Sequence, residues 1–106
     1  MTRRFAAAAI LFAVLVAAAS AEAAVIEVTI TGLRFSPAEV AAKVGDTIEW
    51  TNSDDRDHTI VAKDFKSTNL GKGDTFQHTF PKAGKFTYAC SYHPRMKGVV
   101  VVRSGG

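Results

Sequence analysis

From residue 24 onward the chain is a succession of short segments in which polar and apolar residues alternate, separated by glycine, proline and acidic turns. A period of two marks a strand with one buried face. Val25 to Ile30 is rich in β-branched residues and opens the series. Gly32 breaks it, and Leu33-Arg34-Phe35 resumes extended structure up to Pro37, which biases Ser36 away from helix. Glu39 to Lys43 is a second short strand, followed by a turn at Val44-Gly45-Asp46. Thr47 to Asn52 alternates so that Ile48 and Trp50 point inward. The polar loop Ser53 to Asp57 leads into a strand over 58–62, entered at His58. Lys63 to Gly73 is a polar connection. Asp74 to Phe80 puts Phe76, His78 and Phe80 on one face, and Lys85 to Cys90 does the same for Phe86, Tyr88 and Cys90. Val99 to Arg103 is a continuous apolar run, which suits a central strand buried on both faces. No helical periodicity stands out after the first 23 residues. About seven short strands joined by turns predict an all-β fold, a small β-sandwich.

The first 23 residues follow another logic. Arg3 and Arg4 form a short positive region, Phe5 to Ala19 an apolar one, and Ala19-Ser20-Ala21 and Ala21-Glu22-Ala23 each offer a small-residue cleavage pattern. This is the pattern of a secretory signal peptide. The apolar run is shorter than the ~20 residues a membrane span needs. Phe5 directly after the arginine pair fits twin-arginine export poorly, so the general secretory route is expected. The division is therefore 1–23 as signal peptide and 24–106 as one domain, exported to the periplasm, monomeric and without a membrane span.

A mature domain of about 80 residues is small for stability without a staple. Exported domains of this size often carry disulfides, but a single cysteine cannot form one internally. Metal ligation accounts for it and would add folding energy. Loss of Arg3 and Arg4 takes the formal charge from +3 to +1, and loss of Glu22 as well takes it to +2. Neither value suggests nucleic acid.

The cysteine sits in the most informative stretch, Tyr88 to Gly98. Cys90, His93 and Met96 stand there at Cys-x-x-His-x-x-Met spacing. Thiolate and thioether donors select soft metals, and imidazole suits copper and zinc. Two imidazoles and a thiolate with a distant methionine form the blue-copper electron-transfer site. One more histidine is required. His58 stands where a loop enters a strand, the usual place for a ligand at one pole of a sandwich. His78 lies mid-strand between phenylalanines, where a packed or edge role is more common. Competing readings are weaker. A Cys90–His93 nucleophile pair needs a cleft, structural zinc takes four Cys or His ligands, and haem attachment needs a second cysteine.

These phrases resemble the cupredoxins, and among them the small amicyanin-like and plastocyanin-like blue copper proteins. The resemblance runs through Arg34 to Pro37, Val44 to Asn52, Asp57-His58-Thr59, Asp74 to Phe80 and Gly84 to Gly98. The short final loop matches amicyanin rather than plastocyanin. The resemblance implies a Greek-key cupredoxin sandwich holding one type I copper ion. In it His58, Cys90 and His93 are equatorial ligands and Met96 is axial. It also implies single-electron transfer between redox partners without enzymatic bond chemistry, electrons passing at the exposed edge of His93. Two departures matter. Thr59 stands where the family commonly has Asn; its N–H is expected to reach the sulfur and its hydroxyl to brace the ligand loops. Tyr92 stands where amicyanin has Pro, adding a second N–H donor to the sulfur. Arg95 and Lys97 beside His93 predict a partner with an acidic docking surface. The alternative function is a periplasmic copper carrier or copper-resistance protein. Such proteins often carry Met- or His-rich stretches, and this chain has none.

Overall fold

The computed structural model describes residues 22–105. All of the expected signal peptide except its last two positions lies outside them. Among the described residues the regular elements are eight strands: β1 (Val25–Thr31), β2 (Arg34–Ser36), β3 (Glu39–Lys43), β4 (Thr47–Asn52), β5 (Val61–Ala62), β6 (Thr75–Thr79), β7 (Gly84–Ala89) and β8 (Lys97–Arg103). No helix among them is long and apolar enough to cross a membrane. The strands form two four-stranded sheets, ordered β2-β1-β4-β6 and β3-β8-β7-β5. Two pairings are parallel, β1 with β4 and β3 with β8, and the chain crosses between the sheets to make them. The expected all-β sandwich is what forms.

The alternation seen in the sequence becomes the core. Val28 and Ile30 of β1, Val40 and Ala42 of β3, Ile48 and Trp50 of β4, Tyr88 of β7 and Val100 and Val102 of β8 are all buried. Their neighbours along each strand point outward. Trp50 meets Tyr88 edge-on at a centroid distance of 5.3 Å, and Tyr88 meets Phe35 edge-on at 4.7 Å, the geometry favoured by ring quadrupoles. Tyr88 stands opposite Gly98 on β8, and a methyl group at residue 98 would overlap the tyrosine ring and hydroxyl. Cys90 and Met96 belong to the same buried cluster, so the candidate ligand stretch grows directly out of the core.

Three local expectations are corrected. Leu33 is not extended: Gly32 and Leu33 have φ of 59° and 58° and form the two-residue turn of the β1–β2 hairpin. Two positive φ values match the twist that a two-residue hairpin requires. The strand expected over 58–62 regularises only at Val61 and Ala62, because His58 and its neighbours pair across the 63–73 connection, with an isolated bridge from His58 to Leu70. β8 is central in its sheet but buried on one face only. Val99 and Val101 are half-exposed, as no second layer packs on that side among the described residues.

Candidate metal centre

The site is assembled at the end of the sandwich where β4 and β7 stop. β4 ends at Asn52, which is fully buried. Its Nδ2 donates to the carbonyls of Arg56 (2.8 Å) and Leu70 (2.9 Å), and its Oδ1 accepts from the Asp54 N–H (2.9 Å). One amide side chain thus shapes the whole Ser53 to Asp57 loop, the last bond being an Asx turn. The loop delivers His58, whose N–H donates to the Leu70 carbonyl at 3.0 Å while the Leu70 N–H returns the bond at 2.8 Å. The His58 side chain is fully buried, with Nε2 2.9 Å from the Asp54 carboxylate and Nδ1 turned toward Cys90.

β7 delivers Cys90, which is buried. The following loop closes tightly, the Cys90 N–H donating to the Met96 carbonyl (3.1 Å) and the Met96 N–H to the His93 carbonyl (2.8 Å). Cys90 Sγ lies 3.7 Å from His58 Nδ1 and 3.8 Å from His93 Nδ1. All three donor atoms fall within 4.8 Å of one another, a group able to hold a metal ion. A trigonal ion bonded at about 2.3 Å to sulfur and about 2.0 Å to nitrogen would hold those atoms about 3.7 Å apart, so the donor set fits a first-row metal. Met96 is buried in the same core cluster as Cys90 and lines the same depression as His93. His78 is elsewhere, stacked on Phe65 at 3.9 Å with its ring nearly parallel and packed edge-on against Phe80.

The sulfur is prepared for ligation. Burial pushes the Cys90 thiol up, but the Thr59 N–H, the two imidazoles and the Tyr92 N–H more than reverse this, leaving it at about 6. The thiolate, which is the metal ligand, then dominates at neutral pH even without an ion. The expected Thr59 N–H donor stands 3.5 Å from Sγ, and the Tyr92 N–H is the weakest of the groups that draw the thiol down. The Thr59 hydroxyl accepts from the Ser91 N–H at 2.9 Å and shares a hydrogen bond with the Ser91 hydroxyl at 2.7 Å, the expected brace between the two ligand loops.

Unlike His58, His93 is only partly buried. With Leu33, Arg34, Tyr92, Pro94, Arg95 and Met96 it lines a shallow depression. Arg95 is beside His93 as expected, but Lys97 starts β8 and, with Lys63 and Lys85, lines a separate depression on the outer face of the second sheet. The second cation near His93 is instead Arg34, carried in by the β1–β2 hairpin, a residue whose part at the site no local pattern reveals.

The family of the cupredoxin-like domain matches residues 4–102. The chain belongs to the cupredoxin family. Amicyanin-alpha of Methylorubrum extorquens is 35% identical over 83 residues, covering 72% of this chain and 70% of that protein. Among solved structures, a purple cupredoxin from Nitrosopumilus maritimus superposes with a TM-score of 0.69 at 34% identity, covering 74% of this chain and 99% of that one. A copper-containing nitrite reductase from Thermus scotoductus also matches, with a TM-score of 0.69 at 33% identity, but over only 22% of its own length. Family and donor set together indicate that this cupredoxin takes one type I copper.

Proposed function

We propose that this cupredoxin is an exported one-electron carrier in which His58, Cys90 and His93 hold the copper ion and Met96 is its axial ligand. The observation that carries the reading is the triangle of Cys90 Sγ with two Nδ1 atoms at 3.7 and 3.8 Å, closed by backbone and side-chain hydrogen bonds. Bound copper supplies a one-electron couple. The chain's own residues do the rest. Asn52, Thr59 and the 90–96 ring fix the donors so that neither oxidation state demands rearrangement. His58 is sealed from water, and His93 offers the one partly exposed ligand edge through which an electron passes. The nitrite reductase likeness covers only 22% of that enzyme, which favours the carrier reading.

The face around His93 pairs apolar Leu33, Tyr92 and Pro94 with cationic Arg34 and Arg95. A redox partner with an acidic docking surface fits it, with an association rate that falls as salt rises. The protein acts as a monomer in the periplasm, delivered by the signal peptide at 1–23. Adding Cu(II) to the purified metal-free protein tests the copper reading. An intense visible thiolate-to-copper absorption is expected in the wild type and none in Cys90→Ser; a colourless wild type overturns it. Retention of copper against a chelator through repeated redox cycles is expected of an electron carrier, and rapid loss would favour metal delivery instead. Tyr92→Pro, which removes a donor that favours the reduced state, lowers the reduction potential.

A further inference from the structure

Asp54 belongs to neither the ligand set nor any strand, yet it meets both the metal site and the surface around it. Its Oδ1 accepts from the Gly32 N–H at 2.7 Å. Its Oδ2 accepts from the Leu33 N–H at 3.0 Å and lies 2.9 Å from His58 Nε2. The Asp54 backbone is pinned by Asn52 Oδ1, and its side chain is 15% exposed. One carboxylate oxygen is therefore shared by a ligand ring and by the backbone of the β1–β2 turn.

Each partner needs that oxygen for a different reason. The His58 ring must carry a proton on Nε2 if Nδ1 is to face Cys90 with a free lone pair, and an acceptor at Nε2 selects that tautomer. Leu33 sits at φ 58°, in the left-handed region that residues with a Cβ rarely adopt. Two N–H bonds to a carboxylate hold it there. Leu33 and Arg34 in turn form part of the depression around His93.

We infer that Asp54 is a positioning residue that clamps the Gly32–Leu33 turn and the His58 ring to one carboxylate, so that the rim of the electron-transfer face and a buried copper ligand move as one unit. A contact pressing on Leu33 displaces the oxygen that orients His58, and metal seated at His58 stiffens the rim. The inference rests on the copper reading above.

The test compares wild type, Asp54→Asn and Asp55→Asn. Asp55 is an 87% exposed neighbour paired with Lys72, so its variant removes the same charge from the same loop without touching the clamp. In Asp54→Asn the Cu(II) affinity falls about 10–100-fold. The reduction potential rises by about 59 mV for each tenfold by which Cu(II) affinity falls more than Cu(I) affinity. Amide exchange at Gly32 and Leu33 accelerates at least about tenfold, as local opening no longer breaks two charge-assisted bonds. In the wild type, Cu(I) loading slows exchange at Leu33, and in Asp54→Asn it does not. Asp55→Asn matches the wild type in all of these. Equal affinity and potential in Asp54→Asn and Asp55→Asn overturn the positioning role. Leu33 exchange that ignores copper in the wild type overturns the coupling, and this measurement stands alone if Asp54→Asn fails to fold. A wild type that binds no copper instead overturns the copper reading.

Discussion

The two ends of the parallel β1–β4 pair are closed by the same device with different outcomes. At the entry end, the buried Asp46 accepts from the Ala24 N–H and the Lys43 N–H, both at 2.8 Å, and ties the start of β1 to the turn before β4. At the exit end, Asp54 accepts from the Gly32 and Leu33 N–H groups and also reaches His58. Each carboxyl is held below the ordinary carboxylate range. For Asp46 the two backbone donors dominate. For Asp54 burial opposes the shift, and the donors from Leu33, Gly32 and His58 overcome it. A carboxylate closing strand ends is thus a structural part, and it becomes a functional one when an imidazole takes one of its acceptor positions. Removing the first should cost stability alone, whereas changes at the second end should alter the metal.

The largest separation of the two ends comes from the metal itself. Copper at a free concentration about a thousandfold above its Kd stabilises the fold by about 4 kcal/mol. His58→Ala erases that gain in a denaturant titration with and without metal, while Asp46→Ala leaves it intact. The pH dependence of the metal-free protein comes next. The Cys90 thiol, drawn from 9.0 to about 6, is ionised more readily in the folded chain. Its contribution is full above the ordinary thiol range and is lost as pH falls through about 6, so stability climbs between pH 6 and 9. Cys90→Ser flattens that rise. Asp46 contributes fully above 3.8 and loses its share only in stronger acid, a loss that Asp46→Asn removes. Asp46→Ala itself lowers the unfolding free energy by about 2–3 kcal/mol, since two backbone donors lose a charged acceptor, with the visible spectrum of the loaded protein unchanged. The smallest effect is at the brace: Thr59→Ala lowers stability by about 1 kcal/mol in the same titration.

How legible these ends were in the sequence follows from the range of the forces involved. β4, β6 and β7 follow from two-residue periodicity, β1 from its β-branched residues, and Cys90, His93 and Met96 from spacing inside one loop, because those signals are local. Preferring His58 to His78 followed from its place at a strand end, and the stacking of His78 on Phe65 agrees. Asp54 was not legible, because its partners at Gly32 and Leu33 lie 22 and 21 residues away. A carboxylate four residues before a candidate ligand histidine, following an Asn that caps it by an Asx turn, is the signal that could have found it. Arg34 was hidden for the same reason, brought to His93 by a hairpin whose turn residue, Leu33, offers no hint of a positive φ. The run Val99 to Val102 misled in the opposite way: four valines in a row state apolarity, but only the layer above a strand decides whether both faces are covered.

The pairing of Tyr88 with Gly98 sets a boundary condition for redesign. Any ligand stretch exchanged for Cys90 to Met96 must leave the residue resuming β8 opposite Tyr88 without a side chain. A graft that puts even alanine there drives the aromatic ring out of its slot against Trp50 and Phe35, and a failed transplant would then report a crowded joint rather than an incompatible loop.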